Sequence, residues 1–197
     1  MSRPRGRPGG RGVRVIAGTA GGLRLDTPPG LGTRPITDRV KESLFGSLGP
    51  DLEGARVLDL YGGSGAMAIE ALSRGAASAV IVERDAKAAA VIRSNLAHTH
   101  FDDRARVEQA DVRAFLRRPG AAPDAEFTLV FCDPPYDVPT AEVEQDLAIL
   151  GAGWVAPGAL VVIRRRDIDG PPGLPPKWRF VRSKTYGDTL VIVAAAE

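Results

Sequence analysis

The sequence contains few cysteine, histidine and aromatic residues. Its 197 residues include one cysteine and two histidines, and aromatic side chains make up only 6%. A single cysteine excludes an internal disulfide and is typical of a reducing compartment, so we expect a cytoplasmic protein. Because sulfur and imidazole ligands are so few, we expect no zinc site and no other metal centre. Cys132 ends an apolar run, which favours a small buried side chain.

Long apolar runs are also absent. No stretch approaches the roughly 18 apolar residues that a membrane-spanning helix needs, and no apolar signal segment follows the basic start. Hydrophobic residues form 44% of the chain and charged residues 25%, which is ordinary for a globular protein. We therefore expect no membrane partner. We also expect a monomeric protein.

Charge is distributed unevenly along the chain, although the net charge is only +2. Residues 1–41 carry nine basic and two acidic side chains, and the remaining residues have a net charge of −5. A basic front on a mildly acidic body is typical of a protein that binds a polyanion, and the alternative is a solvated tail without a partner. The arginines expected to contact nucleic acid are Arg3, Arg5, Arg7, Arg11, Arg14, Arg24, Arg34 and Arg39.

Composition and pattern divide the chain into four segments. Arginine alternates with proline and glycine at the start, which predicts a disordered basic arm. Two short alternating apolar runs around glycines then predict a β-hairpin, which must pack on the main domain or on RNA because a lone hairpin is marginally stable. The predicted segments are the arm 1–12, the hairpin 13–26 with Arg14 and Arg24 exposed, a linker and helix 27–50, and a catalytic domain 51–197.

The helix before the catalytic domain has clear start and stop signals. Thr37 is a good N-cap, Asp38 suits the first turn, and Gly49-Pro50 stop the helix. Its predicted apolar stripe is Val40, Leu44, Phe45 and Leu48. Arg39 and Lys41 are expected to lie off this stripe.

Strands and helices alternate from Arg56 onward. The predicted strands are 57–60, 79–82, 105–109, 127–132 and 159–163, and the predicted helices are 66–73, 86–97, 112–117 and 142–150. Two further runs, 178–181 and 189–193, suit an antiparallel pair. The pattern predicts an α/β fold with a doubly wound, Rossmann-like sheet that is mostly parallel and has an antiparallel C-terminal strand.

A glycine-rich loop, Asp59-Leu60-Tyr61-Gly62-Gly63-Ser64-Gly65, lies between the first strand and its helix. Glycine lets the backbone pass close to a ligand where a Cβ atom would clash. Glu83 ends the next strand and could accept both hydroxyls of a ribose. Asp111 follows the third strand and could meet an adenine edge. These positions predict a nucleoside cofactor.

Two cofactors fit this loop. Gly63-x-Gly65-x-x-Ala68 with Glu83 satisfies a dinucleotide fingerprint, so an NAD oxidoreductase is one reading. However, Asp59 at the strand end would lie unfavourably near a pyrophosphate, and it suits the ammonium and sulfonium of S-adenosylmethionine better. A glycine turn with no ligand is the remaining alternative.

The stretch Asp133-Pro134-Pro135-Tyr136 follows the buried fourth strand, at the edge where α/β sheets bind ligands. Two prolines stiffen the turn and remove two N–H donors, so we expect outward, unpaired carbonyl groups. Asp133 and a proline carbonyl could accept the two hydrogens of a planar amine, while Tyr136 offers a face for stacking. The alternative is a plain turn with a surface aspartate.

Together these motifs resemble class I S-adenosylmethionine-dependent methyltransferases that act on exocyclic or amide nitrogens. Further stretches resemble the bacterial small-subunit (16S) ribosomal RNA guanine-N2 methyltransferases, from about Val13 to the end of the chain. Those stretches are 14–18, 33–42, 58–66, 70–76 and 184–189. The chain departs from that family at Tyr61-Gly62, where Phe-Ala is usual. It also has Arg164-Arg165-Arg166 where an acidic residue is frequent, and this run suits either phosphate contacts or a solvated surface.

The resemblance implies methyl transfer from S-adenosylmethionine, with S-adenosylhomocysteine as product, to one guanine of 16S rRNA in the assembled or assembling 30S subunit. It implies a catalytic set of Asp133, Pro134, Pro135 and Tyr136, and a cofactor set of Asp59, Tyr61, Gly62, Gly63, Gly65, Glu83 and Asp111. Two alternatives remain: a DNA adenine-N6 methyltransferase, for which no stretch is free to form a base-reading domain, and a non-catalytic RNA-binding assembly factor.

Overall fold

The computed structural model describes residues 13–29, 36–118 and 127–197. Its strands are β1 Arg56–Leu60, β2 Ser78–Glu83, β3 Ala105–Gln109, β4 Phe127–Cys132, β5 Val155–Arg166, β6 Trp178–Tyr186 and β7 Thr189–Ala196. Its α-helices are α1 Asp38–Leu48, α2 Ala66–Ser73, α3 Ala86–Thr99, α4 Val112–Leu116 and α5 Thr140–Gly151. Two short 3-10 turns cover Gly49–Leu52 and Asp167–Asp169.

The strands form one seven-stranded sheet in the order β3-β2-β1-β4-β5-β7-β6. The first five strands in this order, β3, β2, β1, β4 and β5, run parallel to one another. Strand β7 is antiparallel to both β5 and β6. The predicted Rossmann-like architecture with an antiparallel C-terminal strand is confirmed. Because β1 to β5 all run the same way, their carboxyl ends meet at one edge of the sheet, and that edge carries the motif residues.

Strand β5 is longer than the sequence pattern indicated. It continues through the three arginines, and Arg164, Arg165 and Arg166 pair with Val191, Leu190 and Thr189 of β7. The predicted strand covers 159–163 and ends before the arginines. The ladder with β7 satisfies their backbone groups, so the strand continues regardless of the side-chain charge.

Helix α1 begins and ends as predicted. The Thr37 hydroxyl accepts a hydrogen bond from the Val40 N–H at 3.4 Å, and the apolar stripe is buried. The prediction that Lys41 lies off the stripe is wrong, because its side chain is fully buried and donates to the Arg14 carbonyl. Position 41 precedes Phe45 by four residues, so the two share a helix face. Burial lowers the pKa of Lys41, and Glu70 opposes that shift.

The predicted hairpin is present as a narrow turn with one antiparallel bridge, between Arg14 and Arg24. Both arginines are exposed, as expected. The turn is fastened to α2 by the fully buried Glu70, whose carboxylate accepts the backbone N–H groups of Ile16 at 2.7 Å and Ala17 at 3.2 Å. The hairpin therefore packs on the main domain through polar contacts to the helix that follows the glycine loop.

Close backbone contact completes this attachment. A Cβ atom on Gly18 would lie 1.8 Å from the Ser73 carbonyl oxygen, and Gly18 has a φ of +85°. The Ser73 hydroxyl accepts from the Ala20 N–H at 3.0 Å and donates to the Ala17 carbonyl at 2.5 Å. Only glycine allows the hairpin backbone to approach α2 this closely.

Several predictions fall on residues that the structure does not describe. The basic arm 1–12 lies outside the described residues, and so do Arg3, Arg5, Arg7, Arg11 and Arg34. Among residues 13–29, 36–118 and 127–197, no helix has both the length and the apolar character required to cross a bilayer. The same ranges contain no cluster of metal-ligating side chains.

Candidate active site

The carboxyl ends of the parallel strands open into a cleft of about 660 Å³, a volume within the usual range for small-molecule sites. Residues from both predicted motifs line it. They are Asp59, Tyr61, Gly62, Gly63, Glu83, Asp111, Asp133 and Pro135. The structure thus brings the glycine loop and the Asp-Pro-Pro-Tyr corner to one cavity. Of the other predicted residues, Gly65 is the N-cap of α2, Pro134 is buried and Tyr136 is not part of the lining.

Backbone geometry in the glycine loop requires glycine. Gly63 and Gly65 have φ values of +59° and +77°, in the left-handed region that side chains disfavour. At Gly62 the reason is space, since a Cβ atom would lie 2.4 Å from Cγ2 of Ile81. The Cγ2 methyl of Ile81 therefore leaves no space for a side chain at position 62, where the family that the sequence resembles usually has alanine.

Tyr61 fastens the same loop to the opposite wall. Its φ is +65°, an uncommon value for a residue with a side chain, and its hydroxyl donates to Asp146 Oδ2 at 2.7 Å. Arg113 Nε donates to the other oxygen of Asp146 at 2.8 Å. Burial, above all, raises the pKa of Tyr61, so the phenol keeps the proton that it donates.

Sequence reasoning missed Asp146 and Arg113. The buried residues of α5 are Val143, Asp146, Leu147 and Leu150, which recur at helical spacing. An aspartate on an apolar helix stripe must find polar partners, because an unpaired buried carboxylate is costly. That mismatch was the available signal for a contact between α5, α4 and the glycine loop.

Glu83 is held by two backbone donors. Its carboxylate accepts from the N–H of Gly63 and the N–H of Asp85, both at 2.9 Å, and the residue is 8% exposed. Each carboxylate oxygen can accept a further hydrogen bond. The side chain is therefore fixed in orientation and still lines the cleft, which is compatible with the predicted contact to ribose hydroxyls.

Asp59 and Asp111 each accept a hydrogen bond from a backbone N–H group in the first turn of a helix. Asp59 is 2% exposed and accepts from the Ala68 N–H at 3.2 Å, and burial raises its pKa well above the ordinary value, with Asp133 and Glu83 adding to the shift. Asp111 is the N-cap of α4 and accepts from the Ala114 N–H at 3.0 Å. Both carboxylates thus position local backbone, a function that the glycine-loop pattern alone did not indicate.

Asp133 is paired with an arginine at the corner. Cys132 of β4 lies opposite Ile163 of β5, so Asp133 and Arg164 follow side by side, and Arg164 Nε is 3.0 Å from Asp133 Oδ1. Burial raises the pKa of Asp133, while the Arg164 charge lowers it. The alternative of a solvated charge run is therefore wrong for Arg164, and it is wrong for Arg165, which is 2% exposed and donates to the Val138 carbonyl.

One carbonyl group of the double-proline turn is hydrogen-bonded within the protein. The Pro135 carbonyl accepts from the Val138 N–H at 3.0 Å, so the expectation of outward, unpaired carbonyl groups is wrong for Pro135. The Tyr136 hydroxyl lies 3.3 Å from the Thr189 hydroxyl, and the Arg166 guanidinium stands 5.9 Å from the centre of the Tyr136 ring. Tyr136 therefore lies outside the cleft lining, and its contacts are to polar side chains of β5 and β7.

The described candidate RNA contacts are surface residues. Arg14, Arg24 and Arg39 are exposed. Arg14 Nε is 2.7 Å from Asp38 Oδ2, so part of its charge is compensated within the protein. The hairpin and the start of α1 thus present these arginines to solvent.

Comparison with known proteins places this architecture in a family. The family described as Conserved hypothetical protein 95 matches residues 13–195. The "Ribosomal RNA small subunit methyltransferase D" of Escherichia coli is 36% identical over 176 residues, covering 89% of this chain and 85% of its own. The chain belongs to this methyltransferase family. The resemblance inferred from the motifs is thereby confirmed at the level of the family.

Solved structures agree with the sequence comparison. An Escherichia coli member of known structure is 32% identical, with a TM-score of 0.83 over 94% of this chain and 98% of its own. An RNA methyltransferase of Salinibacter ruber, solved in complex with S-adenosyl-L-homocysteine, has a TM-score of 0.62 and 20% identity, covering 82% of this chain and 93% of its own. At that identity the second likeness shows the fold alone, which is the Rossmann-like methyltransferase fold.

Proposed function

We propose that this protein transfers a methyl group from S-adenosylmethionine to the exocyclic N2 of one guanine in 16S rRNA of the 30S subunit. Membership of the rRNA methyltransferase family supports methyl transfer to ribosomal RNA. The choice of an amine nitrogen as the target is supported by Asp133, whose carboxylate can accept hydrogen bonds from an amine. Asp133 lines the same cleft as the glycine loop and Glu83. An electrophilic methyl group and an amine nitrogen can meet only if both are bound in one cavity.

The cofactor fits the residues that line the cleft. Glu83, already oriented by two N–H groups, would accept the ribose hydroxyls, and Asp111 stands at the mouth of the cleft where an adenine edge would lie. Gly62 and Gly63 would pass beneath the bound molecule, with Tyr61 holding their loop in place. When bound, S-adenosylmethionine supplies an electrophilic methyl group on a sulfonium.

The corner residues would prepare the guanine amine. Its N2 lone pair is delocalised into the ring, so the nitrogen is a weak nucleophile. Asp133 and the Pro134 carbonyl would accept its two hydrogens, favour a pyramidal nitrogen and aim the lone pair at the methyl group. Methyl transfer would make the nitrogen ammonium-like and acidic, so it would lose its extra proton to water and no strong base is required. Arg164 would hold one oxygen of Asp133 and leave the other toward the cleft.

RNA binding would use the exposed arginines and an unstacked base. Tyr136 would stack on the guanine once it leaves the RNA helix. Arg14, Arg24 and Arg39 would contact phosphates, together with the arginines of the arm and Arg34. We expect a monomer to bind the subunit or a late assembly intermediate.

Methylation assays on defined substrates test this proposal. 30S subunits and protein-free 16S rRNA from cells that lack the protein would be incubated with methyl-labelled S-adenosylmethionine, with duplex DNA in parallel. We expect labelled N2-methylguanosine from a single RNA position. Label in N6-methyladenine of DNA would support the DNA-enzyme alternative. Calorimetric titration showing no binding of S-adenosylmethionine would support the assembly-factor alternative.

A further inference from the structure

Asn95 is a buried polar side chain next to the cleft, although it is not one of the residues that line it. It lies on α3 among the apolar residues Ile92 and Leu96 and is 2% exposed. Its side-chain oxygen accepts a hydrogen bond from the Asp26 N–H at 2.9 Å. Its nitrogen donates to the carbonyl groups of Asp26 and Ser64, both at 2.9 Å. Both amide hydrogens are therefore used, and they bind segments that are distant in the sequence.

These three hydrogen bonds require an amide at position 95. If its oxygen and nitrogen exchanged places, the oxygen would face two carbonyl oxygens and the nitrogen would face the Asp26 N–H. An apolar side chain of similar size would leave the Asp26 N–H and the two carbonyl groups without this partner, which is costly for buried groups. Position 95 therefore contributes specific hydrogen bonds to backbone groups, and its side chain does more than fill space.

The two segments that Asn95 binds both belong to the candidate active site. Asp26 ends the hairpin, and residues 27–29, which follow it directly, line the cleft. Ser64 lies in the glycine loop and lines the same cleft. We call residues 26–29 the linker wall. Both the linker wall and residues 61–65 are described, and no hydrogen bond joins them directly, so the amide of Asn95 is a bridge between them.

The same face of α3 supports the glycine loop through an apolar contact. A Cβ atom on Gly65 would lie 3.1 Å from Cγ2 of Ile92, and one on Gly62 would lie 3.2 Å from Cδ1 of the same isoleucine. Ile92 precedes Asn95 by three residues, so the two side chains share a helix face. Ile92 packs against the loop alone, whereas Asn95 also holds the linker wall.

We propose that Asn95 is a positioning residue that holds the linker wall against the glycine loop and thereby sets the width of the cleft in which S-adenosylmethionine binds. It acts through Asp26 and Ser64. Without the bridge, cofactor binding must itself order the two walls, and that cost weakens binding but leaves the chemistry of the bound substrates unchanged. This inference rests on the proposed function, through cofactor binding at the glycine loop, but it does not depend on which base is methylated.

Cofactor affinity and steady-state kinetics of matched variants test the bridge. We expect Asn95→Ala to raise the dissociation constant for S-adenosylhomocysteine and the KM for S-adenosylmethionine about tenfold, with kcat on 30S subunits near wild type. Asn95→Asp retains an acceptor and loses both donors, so it should bind no better than Asn95→Ala. Thr99→Val removes a hydroxyl that donates to the Asn95 backbone carbonyl within α3, and this control for helix stability should bind normally. Unchanged affinity in Asn95→Ala, or an equal loss in Thr99→Val, would overturn the inference.

Hydrogen exchange of single amides distinguishes a lost bridge from general loosening of the fold. The Asp26 N–H is bonded to Asn95, whereas the N–H groups of Ile16 and Ala17 are bonded to Glu70. In the full chain, we expect Asn95→Ala to accelerate exchange at Asp26 at least about tenfold and to leave Ile16 and Ala17 unchanged. Equal acceleration at all three amides would contradict a local bridge. Failure of the wild-type protein to bind S-adenosylhomocysteine would instead contradict the proposed function.

Discussion

Two ion pairs in this protein differ in how fully protein donors enclose the carboxylate. Glu70 lies beneath the hairpin, where its oxygens accept two backbone N–H groups, Arg74 Nε is 2.7 Å away and Lys41 Nζ is 3.8 Å away. Asp133 lies at the edge of the sheet, where Arg164 is 3.0 Å from one oxygen and 27% of the side chain is exposed. Glu70 is enclosed by protein donors, whereas Asp133 faces a cleft.

This contrast separates a structural carboxylate from one that is available for chemistry. A buried carboxylate surrounded by donors holds its neighbours in place, and removing it leaves several of them unpaired. A carboxylate that is oriented by one cation and still faces a cavity can accept a hydrogen bond from a ligand. Asp146 is an intermediate case, since it is 1% exposed and lines the cleft, and Tyr61 and Arg113 bind its two oxygens.

The largest effect is expected at the enclosed carboxylate. Glu70→Ala would leave the buried Lys41 without its acidic partner and the Ile16 and Ala17 N–H groups without an acceptor. We expect the free energy of unfolding to fall by about 3–5 kcal/mol in urea denaturation. Glu42→Ala, at an exposed position of α1, is the control and should change it by about 0.5 kcal/mol or less. A loss below about 1 kcal/mol for Glu70→Ala would remove the distinction between the two carboxylates.

A smaller effect is expected at the intermediate case. Tyr61→Phe removes the hydroxyl that donates to Asp146, while the aromatic ring is retained. Hydrogen bonds to charged groups contribute about 1.5–3 kcal/mol, so we expect a loss of about 2 kcal/mol, divided between stability and cofactor affinity. Denaturation and calorimetry with S-adenosylhomocysteine measure the two parts. If both were unchanged, the contact between the glycine loop and α5 would be dispensable.

The smallest shift concerns the carboxylate that faces the cleft. Arg164 lowers the pKa of Asp133 while burial raises it, so Arg164→Gln leaves burial unopposed and the pKa rises further. An ionised Asp133 accepts the amine hydrogen more strongly than a protonated one, so the acid side of the rate profile should move to higher pH. Arg164→Lys retains the charge and should leave the acid side in place. Identical profiles for all three proteins would show that Arg164 does not act on Asp133.

Local sequence signals predicted most of the fold. Helix α2 and strands β3 and β4 begin and end where the pattern placed them. Helix α2 follows Gly65 and ends just before Gly75, and β4 ends just before the double proline. The glycine loop and the corner were predicted to share an edge, since the carboxyl ends of parallel strands meet there. The structure places residues of both motifs in one cleft.

The missed features are pairings between distant residues. Lys41 reaches Glu70, Arg113 reaches Asp146, and Arg164 reaches Asp133 only after the helices and strands have packed. Periodicity shows that a charged residue lies on a buried face, but it does not identify the partner. The three arginines at the end of β5 suited either phosphate contacts or a solvated surface, because the sequence does not show that Arg164 and Arg165 have partners outside β5.

The central claim is that Asp133 prepares the amine for methyl transfer. Its most direct test is the single-turnover rate of Asp133→Ala on 30S subunits at saturating S-adenosylmethionine, with the exposed Asp137→Ala as control. We expect Asp133→Ala to be at least about 100-fold slower than wild type, with nearly unchanged cofactor affinity, and Asp137→Ala to be normal. A wild-type rate for Asp133→Ala would contradict the account.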